Sequence, residues 1–449
     1  MDISKLLIRH VVYPLWETKN GTSRLRYLRQ LEKSQFDSAE AMRERQWTDF
    51  KTLVTHAFRS CPFYRRKYEE VGLTPGDLRT PDDIARLPTT SKQEIQECLR
   101  DMLAEGAQPD RLIKDMTGGS TGTPMTVYYD RDRLDRRVAA TIRHNRWAGW
   151  DIGDKVAALW GAPRDVGSGS LGTRLRASVI ERRLFFDASA IDESGMRGLA
   201  RDLVRYQPKV LMGYANALAL FAQFVVAERI DGIHPRGIVS SAEVLTPANR
   251  TLIEAAFKCK VYDRYGCREV GIIASECQAP DGMHVTAEDV IVEALVDGVP
   301  RSDADGDVVV TDLANYVMPL IRYRTMDVGQ VISSQCLCSR GLPLMKLSGG
   351  RVSDFLTTTS GKKVAGVVFS HRLTGITGVR QVQLVQDRRN AVTVHLVKGA
   401  GWSDGTLQSL VGLVHEVLGE ATEVDVVYRT TIPVEPSGKY RISISTLTS

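Results

Sequence analysis

The chain has 449 residues, of which 43% are hydrophobic and 25% charged, a balance typical of globular proteins rather than fibrous or disordered ones. Its formal net charge of +5 at pH 7 is small for this length, and no long block of lysine or arginine occurs, so nothing calls for a nucleic-acid partner. The length exceeds what one hydrophobic core usually serves, so two or more domains are expected.

The N-terminal stretch MDISKLLIRHVVYPLW does not have the pattern of a secretory signal. Lys5 and Arg9 interrupt its apolar run, and no small-residue cleavage site follows. No segment reaches the roughly 18–20 apolar residues of a membrane span, and the longest candidate, residues 217–227, is expected to be a buried helix. Loose attachment of the amphipathic N-terminus to a membrane stays open as a less favoured alternative. The expected location is the cytoplasm, where the seven cysteines would be thiols or metal ligands rather than disulfides.

Helix-like and strand-like patterns follow one another along the chain. Residues 24–60 carry apolar residues at intervals of three and four, which predicts helix, and the arginines of residues 131–147 are expected to form the solvated face of another helix. Strands and helices then alternate, which predicts an α/β fold whose sheets are covered by helices. The predicted strands are 155–161, 209–214, 237–243, 260–266, 306–313 and 318–332, and the predicted helices are 194–206, 216–228 and 247–257.

The pattern changes after a glycine-rich stretch near residue 350. A hairpin around residues 388–390, a helix over 405–419 and a strand over 423–432 indicate about ninety residues of α+β structure. The sequence therefore predicts two domains, residues 1–350 and residues 351–449, joined by a hinge.

One glycine-rich loop has the composition of a phosphate-binding loop. It lies within DMTGGSTGTPMTVYYDRD, residues 115–132. Small residues allow backbone N–H groups to approach phosphate oxygens, and the hydroxyls add further donors. The loop lacks the lysine of a Walker A motif, and an ordinary tight turn is about equally consistent with its composition alone.

A second pattern has the residue types of a metal site. Cys277 and His284 are followed at a distance by Cys336 and Cys338, and three thiolates with one imidazole suit a closed tetrahedral zinc site. The Cys-x-Cys spacing is tighter than in the usual zinc knuckle. Spacing alone is therefore also consistent with a second interpretation, in which the cysteines are buried thiols and the histidine lies at the surface.

Taken in order along the chain, several motifs together resemble the phenylacetate–coenzyme A ligase family of adenylate-forming enzymes. The similarity is greatest to the branch often found with capsular and exopolysaccharide genes, and it covers nearly the whole chain. The motifs are RSCPFYRRKYEEVGLTP, LPTTSKQEI, TGGSTGTP, LMGYANALA, SSAEVLTP, YDRYGCREVG, DLANYVMPLIRYRTMD, GGRVSDFL and PSGKYR.

The resemblance implies a two-step reaction. A carboxylate attacks the α-phosphate of ATP, giving an acyl-adenylate and pyrophosphate, and a thiol, usually that of coenzyme A, then displaces AMP. The cofactors implied are ATP, Mg²⁺ and coenzyme A. Because negative charge builds up at the phosphoryl centre, the protein's part is mainly positioning and electrostatic stabilisation.

The resemblance also implies roles for particular residues. Glu269 would help to hold Mg²⁺, Asp327 would accept hydrogen bonds from the ribose hydroxyls, and Lys439, on a mobile C-terminal lid domain, would be the catalytic lysine. The family's Thr-Gly-Asp turn reads Thr325-Met326-Asp327 here, so its local conformation is expected to differ. The remaining nucleotide-binding residues would be Thr117, Gly118, Gly119, Ser120, Thr121, Gly122, Thr123, Ser241, Ala242, Glu243, Asp263, Arg264, Tyr265, Gly266 and Arg351.

Two further sites follow from the resemblance. The carboxylate pocket would involve Trp160, Gly213 and Tyr214, and relatives in this branch carry a comparable Cys/His cluster, which favours structural Zn²⁺. At the hinge, Ser353 stands where many relatives have aspartate, so the angle between the domains is expected to differ.

Alternatives to coenzyme A remain open at this stage. The acyl group of the adenylate could pass to a carrier protein, an amine or a sugar hydroxyl. The sequence is also compatible with a homodimer. A zinc-stabilised nucleotide-binding scaffold without catalysis is a third hypothesis, and it is disfavoured because a scaffold needs neither Glu269 nor Lys439.

Overall fold

The computed structural model of the protein describes residues 2–116, 125–160, 180–187, 193–279, 281–349, 355–361, 363–365, 369, 376–433 and 441–447. Several predicted features lie outside the described residues: the loop Thr117–Thr123, the hinge residues Arg351 and Ser353, and Lys439.

Helices dominate the first hundred residues. They are α1 (Ile3–Leu7), a π-helical turn (Ile8–Val12), α2 (Tyr13–Asn20), α3 (Arg24–Ser34), α4 (Ala39–Ser60), α5 (Pro62–Glu69) and α6 (Lys92–Glu97). Residues 24–60, which the sequence predicts to be helical, form two helices separated by residues 35–38. Ser38 causes the new start: its hydroxyl accepts a hydrogen bond from the Ala41 N–H at 3.1 Å and caps α4.

The α/β fold predicted from the alternation is confirmed. A small hairpin, β1 (Ile113–Met116) and β2 (Thr126–Tyr129), is followed by helix α7 (Arg131–Trp147). Further helices pack among the strands: α8 (Glu193–Tyr206), α9 (Ala215–Ala227) and α10 (Pro247–Phe257). Most of α9 is buried, as the sequence predicts for residues 217–227.

Twelve strands of the described residues form one mixed sheet. Five neighbouring strands are parallel: β4 (Arg183–Asp187), β3 (Val156–Trp160), β5 (Val210–Tyr214), β6 (Gly237–Ser241) and β7 (Lys260–Cys267). The other pairings in this sheet are antiparallel. The strands involved are β8 (Gly271–Glu276), β9 (Met283–Val285), β10 (Val290–Val296), β11 (Val299–Pro300), β12 (Gly306–Asp312), β13 (Leu320–Ile332) and β14 (Leu344–Gly349). The sheet thus has a parallel half and an antiparallel half that meet at β7 and β8.

The C-terminal part has its own sheet and its own hydrophobic cluster. Its elements are β15 (Phe355–Thr357), β16 (Lys363–Ala365), β17 (Val379–Arg388), β18 (Ala391–Lys398), α11 (Asp404–Leu418), β19 (Glu423–Tyr428) and β20 (Ser443–Ser445). The predicted hairpin is present as β17 and β18, and it lies in a four-stranded sheet with the order β19-β18-β17-β20. Leu384, Val394 and Leu410 are fully buried in its cluster. The domain boundary at residue 350 stays a prediction.

The solvated arginine face predicted for residues 131–147 is wrong. Arg133 is 2% exposed and Arg143 is 1% exposed. Arg133 donates to Asp312 at 2.9 Å, and Arg143 forms a two-pronged pair with Glu288 at 2.6 and 3.0 Å. These carboxylates come from the antiparallel half of the sheet, more than 140 positions away, and buried charges are retained when such partners satisfy them.

No helix within the described ranges is both long and apolar enough to cross a lipid bilayer.

Candidate nucleotide site and candidate metal centre

The carboxyl ends of four parallel strands lie side by side. Tyr214 pairs in register with Ser241, and Ser241 pairs with Arg264. Leu159 pairs with Gly213, so Trp160 is the neighbour of Tyr214. Residues paired in a parallel sheet point to the same face, so the four side chains form a row. The rings of Trp160 and Tyr214 are 4.6 Å apart. In open α/β sheets, ligands bind outside this edge of the strands.

The segment after β6 closes one end of that row. Ala242 has a φ of 69°, a left-handed conformation that is uncommon for a residue with a side chain. The Glu243 carboxylate accepts a hydrogen bond from the Asn216 N–H at 2.8 Å, at the start of α9. An anion at a helix N-terminus is favoured by the helix dipole. Glu243 therefore anchors the segment 241–243 against α9.

The end of β7 carries a hydrogen bond between two of the predicted nucleotide-binding residues. The Tyr265 hydroxyl donates to Asp327 at 2.7 Å, which joins β7 to β13. Tyr265 is 6% exposed, and burial with the nearby Asp327 charge raises its pKa well above the usual range. Its ring thus belongs to the core in this structure, while its hydroxyl orients the carboxylate that is expected to meet ribose.

The turn before Asp327 keeps the conformation of a glycine turn although it contains methionine. Met326 has a φ of 67° and a side chain that is 49% exposed. The turn is held by Thr325, whose hydroxyl donates to the Val308 carbonyl at 3.0 Å and accepts from the Asp327 N–H at 3.3 Å. The left-handed backbone at Met326 costs roughly 1–2 kcal/mol, and the expected local departure from the family's turn stays a prediction.

Gly266 shows why a glycine follows Tyr265. A Cβ at this position would lie 2.5 Å from the Gly271 carbonyl oxygen on the neighbouring strand β8. The register of β7 and β8 shifts between Tyr265 and Gly266. The close approach of the two backbones therefore excludes any side chain at Gly266.

Glu269 lies in the turn between β7 and β8, close to the same strand ends. It accepts a hydrogen bond from the Tyr323 hydroxyl at 3.1 Å. Burial, together with the charge of Glu269, raises the pKa of Cys267 well above its usual range. This thiol therefore stays protonated at neutral pH and is a poor nucleophile. Glu269 and Asp327 thus lie on adjoining parts of one site.

Two charged residues of the segment 263–266 are in unusual surroundings. Burial, and secondarily the charge of Glu276, raises the pKa of Asp263 to about 7. Burial lowers the pKa of Arg264 to about 10. Arg264 donates to the Asn145 side-chain oxygen at 2.6 Å, while its buried Nε has no protein partner. Within the described ranges Arg264 forms no ion pair, so its charge is available to a ligand in the row of strand ends.

In the antiparallel half, the structure brings Cys277, His284, Cys336 and Cys338 together. Their ligand atoms all lie within 4.8 Å of one another. The Cys277 and Cys336 sulfurs are 3.7 Å apart, and His284 Nε2 is 3.1 Å from the Cys338 sulfur. Zinc–sulfur bonds of about 2.3 Å in a tetrahedron separate two sulfurs by about 3.8 Å. The donor set and its spacing therefore fit one Zn²⁺ ion.

The surroundings of these four residues favour a metal ligand at His284. The other ring nitrogen, Nδ1, is 3.3 Å from the Leu342 carbonyl, the kind of contact that orients metal-bound histidines. Burial lowers the pKa of His284 to about 4, so the ring is neutral at pH 7. His284 lies on β9, and the cysteine pair 336/338 lies between β13 and β14. A bound ion would tie these elements together.

The predicted site residues thus fall into two groups. Trp160, Tyr214, Ser241, Arg264 and their neighbours meet at the strand ends with Glu269 and Asp327, whereas the Cys/His set lies in the antiparallel half. Sequence analysis assigned no role to the supporting residues Tyr323, Asn216 and Asn145. Asn216 and Tyr323 lie within two of the motifs named above, but only the register between distant strands and helices shows which groups they contact.

Comparisons with known proteins agree with this geometry. Residues 356–446 match the CapK C-terminal domain family. The chain is 27% identical to the phenylacetate–coenzyme A ligase of Escherichia coli (strain K12) over 336 residues, covering 71% of this chain and 73% of that protein. It is 23% identical to the protein CapK of Staphylococcus aureus over 405 residues, covering 89% and 88%.

A solved structure shows the same fold. The crystal structure of 2-hydroxyisobutyryl-CoA ligase in the postadenylation state, in complex with R3-HIB-AMP, matches with a TM-score of 0.74 and 19% identity, covering 92% of this chain and 91% of that one. The chain is thus similar over most of its length to phenylacetate–coenzyme A ligases and to CapK, its C-terminal part matches the CapK C-terminal domain, and it shares the fold of an adenylate-forming acid–thiol ligase.

Proposed function

We propose that the protein activates an aryl or acyl carboxylic acid with ATP and then forms a thioester with coenzyme A. In the first step a carboxylate oxygen bonds to the α-phosphorus and pyrophosphate leaves. In the second step the thiol sulfur bonds to the acyl carbon, AMP leaves, and the thiol proton is released. The observation that carries the proposal is the meeting of Tyr265–Asp327 and Tyr323–Glu269 at the end of β7.

Each of these residues has a task in the proposal. Asp327, oriented by Tyr265, would accept the hydrogen bonds of the ribose hydroxyls. Glu269, held by Tyr323, would help to bind the Mg²⁺ that offsets phosphate charge. Both carboxylates are already fixed by tyrosine hydroxyls, so little reorganisation is needed when the nucleotide binds.

Residues outside the described ranges complete the nucleotide site in this proposal. The loop Thr117–Thr123 would hold the β- and γ-phosphates, Arg351 would reach the ribose or phosphate, and Lys439 would stabilise charge on the α-phosphate. Lys439 would lie on the C-terminal domain, residues 351–449, and arrive as a lid over the domain formed by residues 1–350.

The carboxylic acid would lie against the row of strand ends. The contact between Trp160 and Tyr214 offers an aromatic wall. A Cβ at Gly213 would lie 3.0 Å from the Leu218 side chain, so the glycine lets α9 approach the strand. An aromatic or aliphatic acyl group fits such a wall.

The second part of the proposal is structural Zn²⁺ at Cys277, His284, Cys336 and Cys338. All four positions of a tetrahedron are filled by protein atoms, which leaves no open position for a substrate. When bound, the ion would supply folding stability rather than Lewis-acid chemistry.

The alternatives differ in the acceptor of the acyl group. A carrier protein, an amine or a sugar hydroxyl would accept the acyl group from the same adenylate. Because the chain is similar to CapK, these acceptors remain alternatives to coenzyme A. The scaffold hypothesis predicts no pyrophosphate release with any acid. A cytoplasmic location goes with the main proposal, because ATP and coenzyme A are used there.

The experiment that tests the proposal is a pyrophosphate-release assay with aryl, fatty and amino acids, each with and without coenzyme A. We expect acid-dependent release, and a thioester product when coenzyme A is present. Release without thioester formation would favour another acceptor. If folded protein with bound zinc releases no pyrophosphate with any acid, this result would contradict the proposed enzymatic activity and favour the scaffold hypothesis.

The variant Lys439→Ala sharpens this assay. It should slow adenylation by roughly 10²–10³-fold, while ATP affinity stays nearly unchanged, because the lysine acts on charge that develops in the transition state. Lys398→Ala, a change of the same kind on β18, is the matched control and should keep the rate. Equal rates in both variants would show that the catalytic assignment is wrong.

A further inference from the structure

The N-terminal helical segment exposes its apolar side to solvent. Five of its large apolar side chains are exposed: Ile3 77%, Leu6 38%, Leu7 53%, Val11 45% and Leu15 65%. Surface helices normally turn their apolar side to the core. We call these five residues the N-terminal stripe.

The opposite side of the segment is fixed to the protein by polar contacts. Lys5 pairs with Asp154 at 2.7 Å, and Arg9 pairs with Asp151 at 2.6 Å. Glu17 is 6% exposed and accepts a hydrogen bond from the Leu25 N–H at 3.1 Å. The orientation of the segment is therefore set by several contacts, and rotation that would bury the stripe would break them.

The backbone of the segment supports one continuous stripe. The π-helical turn Ile8–Val12 connects α1 and α2, and residues at both of its ends keep right-handed helical angles. A repeat of four residues, as in Ile3, Leu7, Val11 and Leu15, drifts around an α-helix, which has 3.6 residues per turn. A π turn takes more residues, so it offsets the drift and keeps the repeat on one side.

The exposed charge of the N-terminal segment is positive. Residues 2–30 contain six lysines and arginines and two acidic residues. Three of the six cations, Lys5, Arg9 and Arg24, are paired with aspartates elsewhere in the chain. The other three, Lys19, Arg26 and Arg29, are exposed, whereas Glu17 is buried and Asp2 is paired with Arg182 at 2.7 Å. Exposed cations on the segment that carries an apolar stripe complement a surface that is both anionic and apolar.

We propose that the N-terminal stripe docks the protein on an anionic lipid membrane surface. The apolar side chains would enter the boundary between headgroups and acyl chains, and the basic residues would face the phosphates of the lipids. Such binding lies along the membrane and needs no helix that crosses it. A second copy of the chain is a poorer occupant, because a twofold contact would place the exposed cations of one copy near those of the other. The proposal is independent of the reaction proposed above.

The test is sedimentation of the full-length protein with lipid vesicles. Vesicles of phosphatidylcholine mixed with phosphatidylglycerol should bind the protein, pure phosphatidylcholine should bind it much less, and high salt should weaken the binding. Leu7→Glu and Leu15→Glu should each lower the partition coefficient by about tenfold or more. Melting temperatures should stay near that of the unchanged protein, because both side chains are exposed.

A matched control is Val226→Glu, an exposed apolar residue on α9 that is 56% accessible. It should bind vesicles like the unchanged protein. Failure of the folded protein to bind anionic vesicles would overturn the proposal, as would equal binding by Leu7→Glu. Light scattering that shows a dimer broken by Leu7→Glu, without vesicle binding, would assign the stripe to a second copy instead.

Discussion

The parallel and antiparallel halves of the large sheet build their sites in different ways. In the parallel half, β3, β5, β6 and β7 end at one edge, and the candidate nucleotide site is built on those ends, with Glu269 from the turn after β7 and Asp327 from β13 beside them. In the antiparallel half, the four metal-binding candidates come from β9, from the end of β8 and from the loop after β13, and they meet only because hairpins fold them together.

The candidate nucleotide site is therefore expected to serve the reaction, whereas the candidate metal centre is expected to serve the stability of the fold. The candidate nucleotide site combines buried residues such as Tyr265 with the exposed Met326, and the buried Nε of Arg264 has no partner among the described residues. Cys277, Cys336 and His284 are buried, and they hold elements to one another. We therefore expect changes in the first half to alter rates and changes in the second half to alter stability.

The largest expected effect belongs to Glu269→Gln. Removing the carboxylate that is proposed to help hold Mg²⁺ should slow acid-dependent pyrophosphate release by about 10²–10³-fold, with little change in melting temperature. The matched control is Asp281→Asn in the antiparallel half, where the carboxylate accepts a hydrogen bond from the Leu337 N–H at 3.2 Å. Equal losses of rate in both variants would contradict the division between the halves.

Next in size is Cys336→Ser, which removes one of the proposed zinc ligands. It should lower the free energy of unfolding by on the order of 3–5 kcal/mol, and elemental analysis should show the loss of about one zinc per chain. At a temperature where the variant is folded, its rate of pyrophosphate release should stay within about twofold of that of the unchanged protein, because a closed metal site would stabilise the fold without taking part in the reaction. Cys259→Ser, outside the cluster, should keep both metal and stability. If the unchanged protein, prepared without chelators, holds no zinc, the metal proposal fails.

A smaller effect concerns the dependence of stability on pH. The pKa of Asp263 is raised to about 7 in the folded protein from 3.8, so between about pH 4 and pH 7 the folded state holds a proton that the unfolded state has lost. The stabilising contribution is present below pH 4 and is lost as the pH rises through 7. Asp263→Asn should therefore gain stability relative to the unchanged protein, by roughly 2 kcal/mol at pH 8 compared with pH 4. Thermal melts of both proteins across this range provide the measurement, and a constant difference would contradict the assignment.

The smallest effect is expected for Met326→Gly. Glycine takes the left-handed backbone without strain but costs conformational entropy, so a net gain of about 0.5 kcal/mol in the free energy of unfolding is expected. Lys346→Gly, at an exposed position of β14 with an ordinary backbone, should instead lose about 0.5–1 kcal/mol. A loss of stability at Met326 equal to that at Lys346 would show that the methionine side chain contributes more than its exposure suggests.

The alternation of strands and helices could be predicted from the sequence. Strands of a parallel sheet such as β3 and β5 are buried on both faces, so each is a continuous run of apolar residues. The sequence also brought Cys277 and His284 into one group with Cys336 and Cys338, since thiols and imidazoles are few and their chemistry is specific. The family resemblance, rather than periodicity, supplied the roles of Glu269 and Asp327.

Other features depend on contacts that no local pattern carries. The arginines of α7 resemble a solvated face because the carboxylates that neutralise Arg133 and Arg143 lie far away in the chain. The break between α3 and α4 depends on a single capping serine, and the hydrogen bond from Tyr265 to Asp327 depends on the register of two strands. The apolar side of the N-terminal segment resembles a core-facing stripe until ion pairs of Lys5 and Arg9 show which side meets the protein.

Trp147 would give the proposed metal centre an optical reporter. Its buried indole lies between His144, at 4.4 Å between ring centroids, and His284, at 5.6 Å, and the Arg340 guanidinium lies 4.8 Å above the ring. A divalent charge at His284 would change the electric field across the indole and, with it, the energy of its excited state. Although the chain has six tryptophans, the emission of a protein in which the other five are replaced would follow zinc release in real time. The same spectrum would record the order in which the metal leaves and the sheet unfolds.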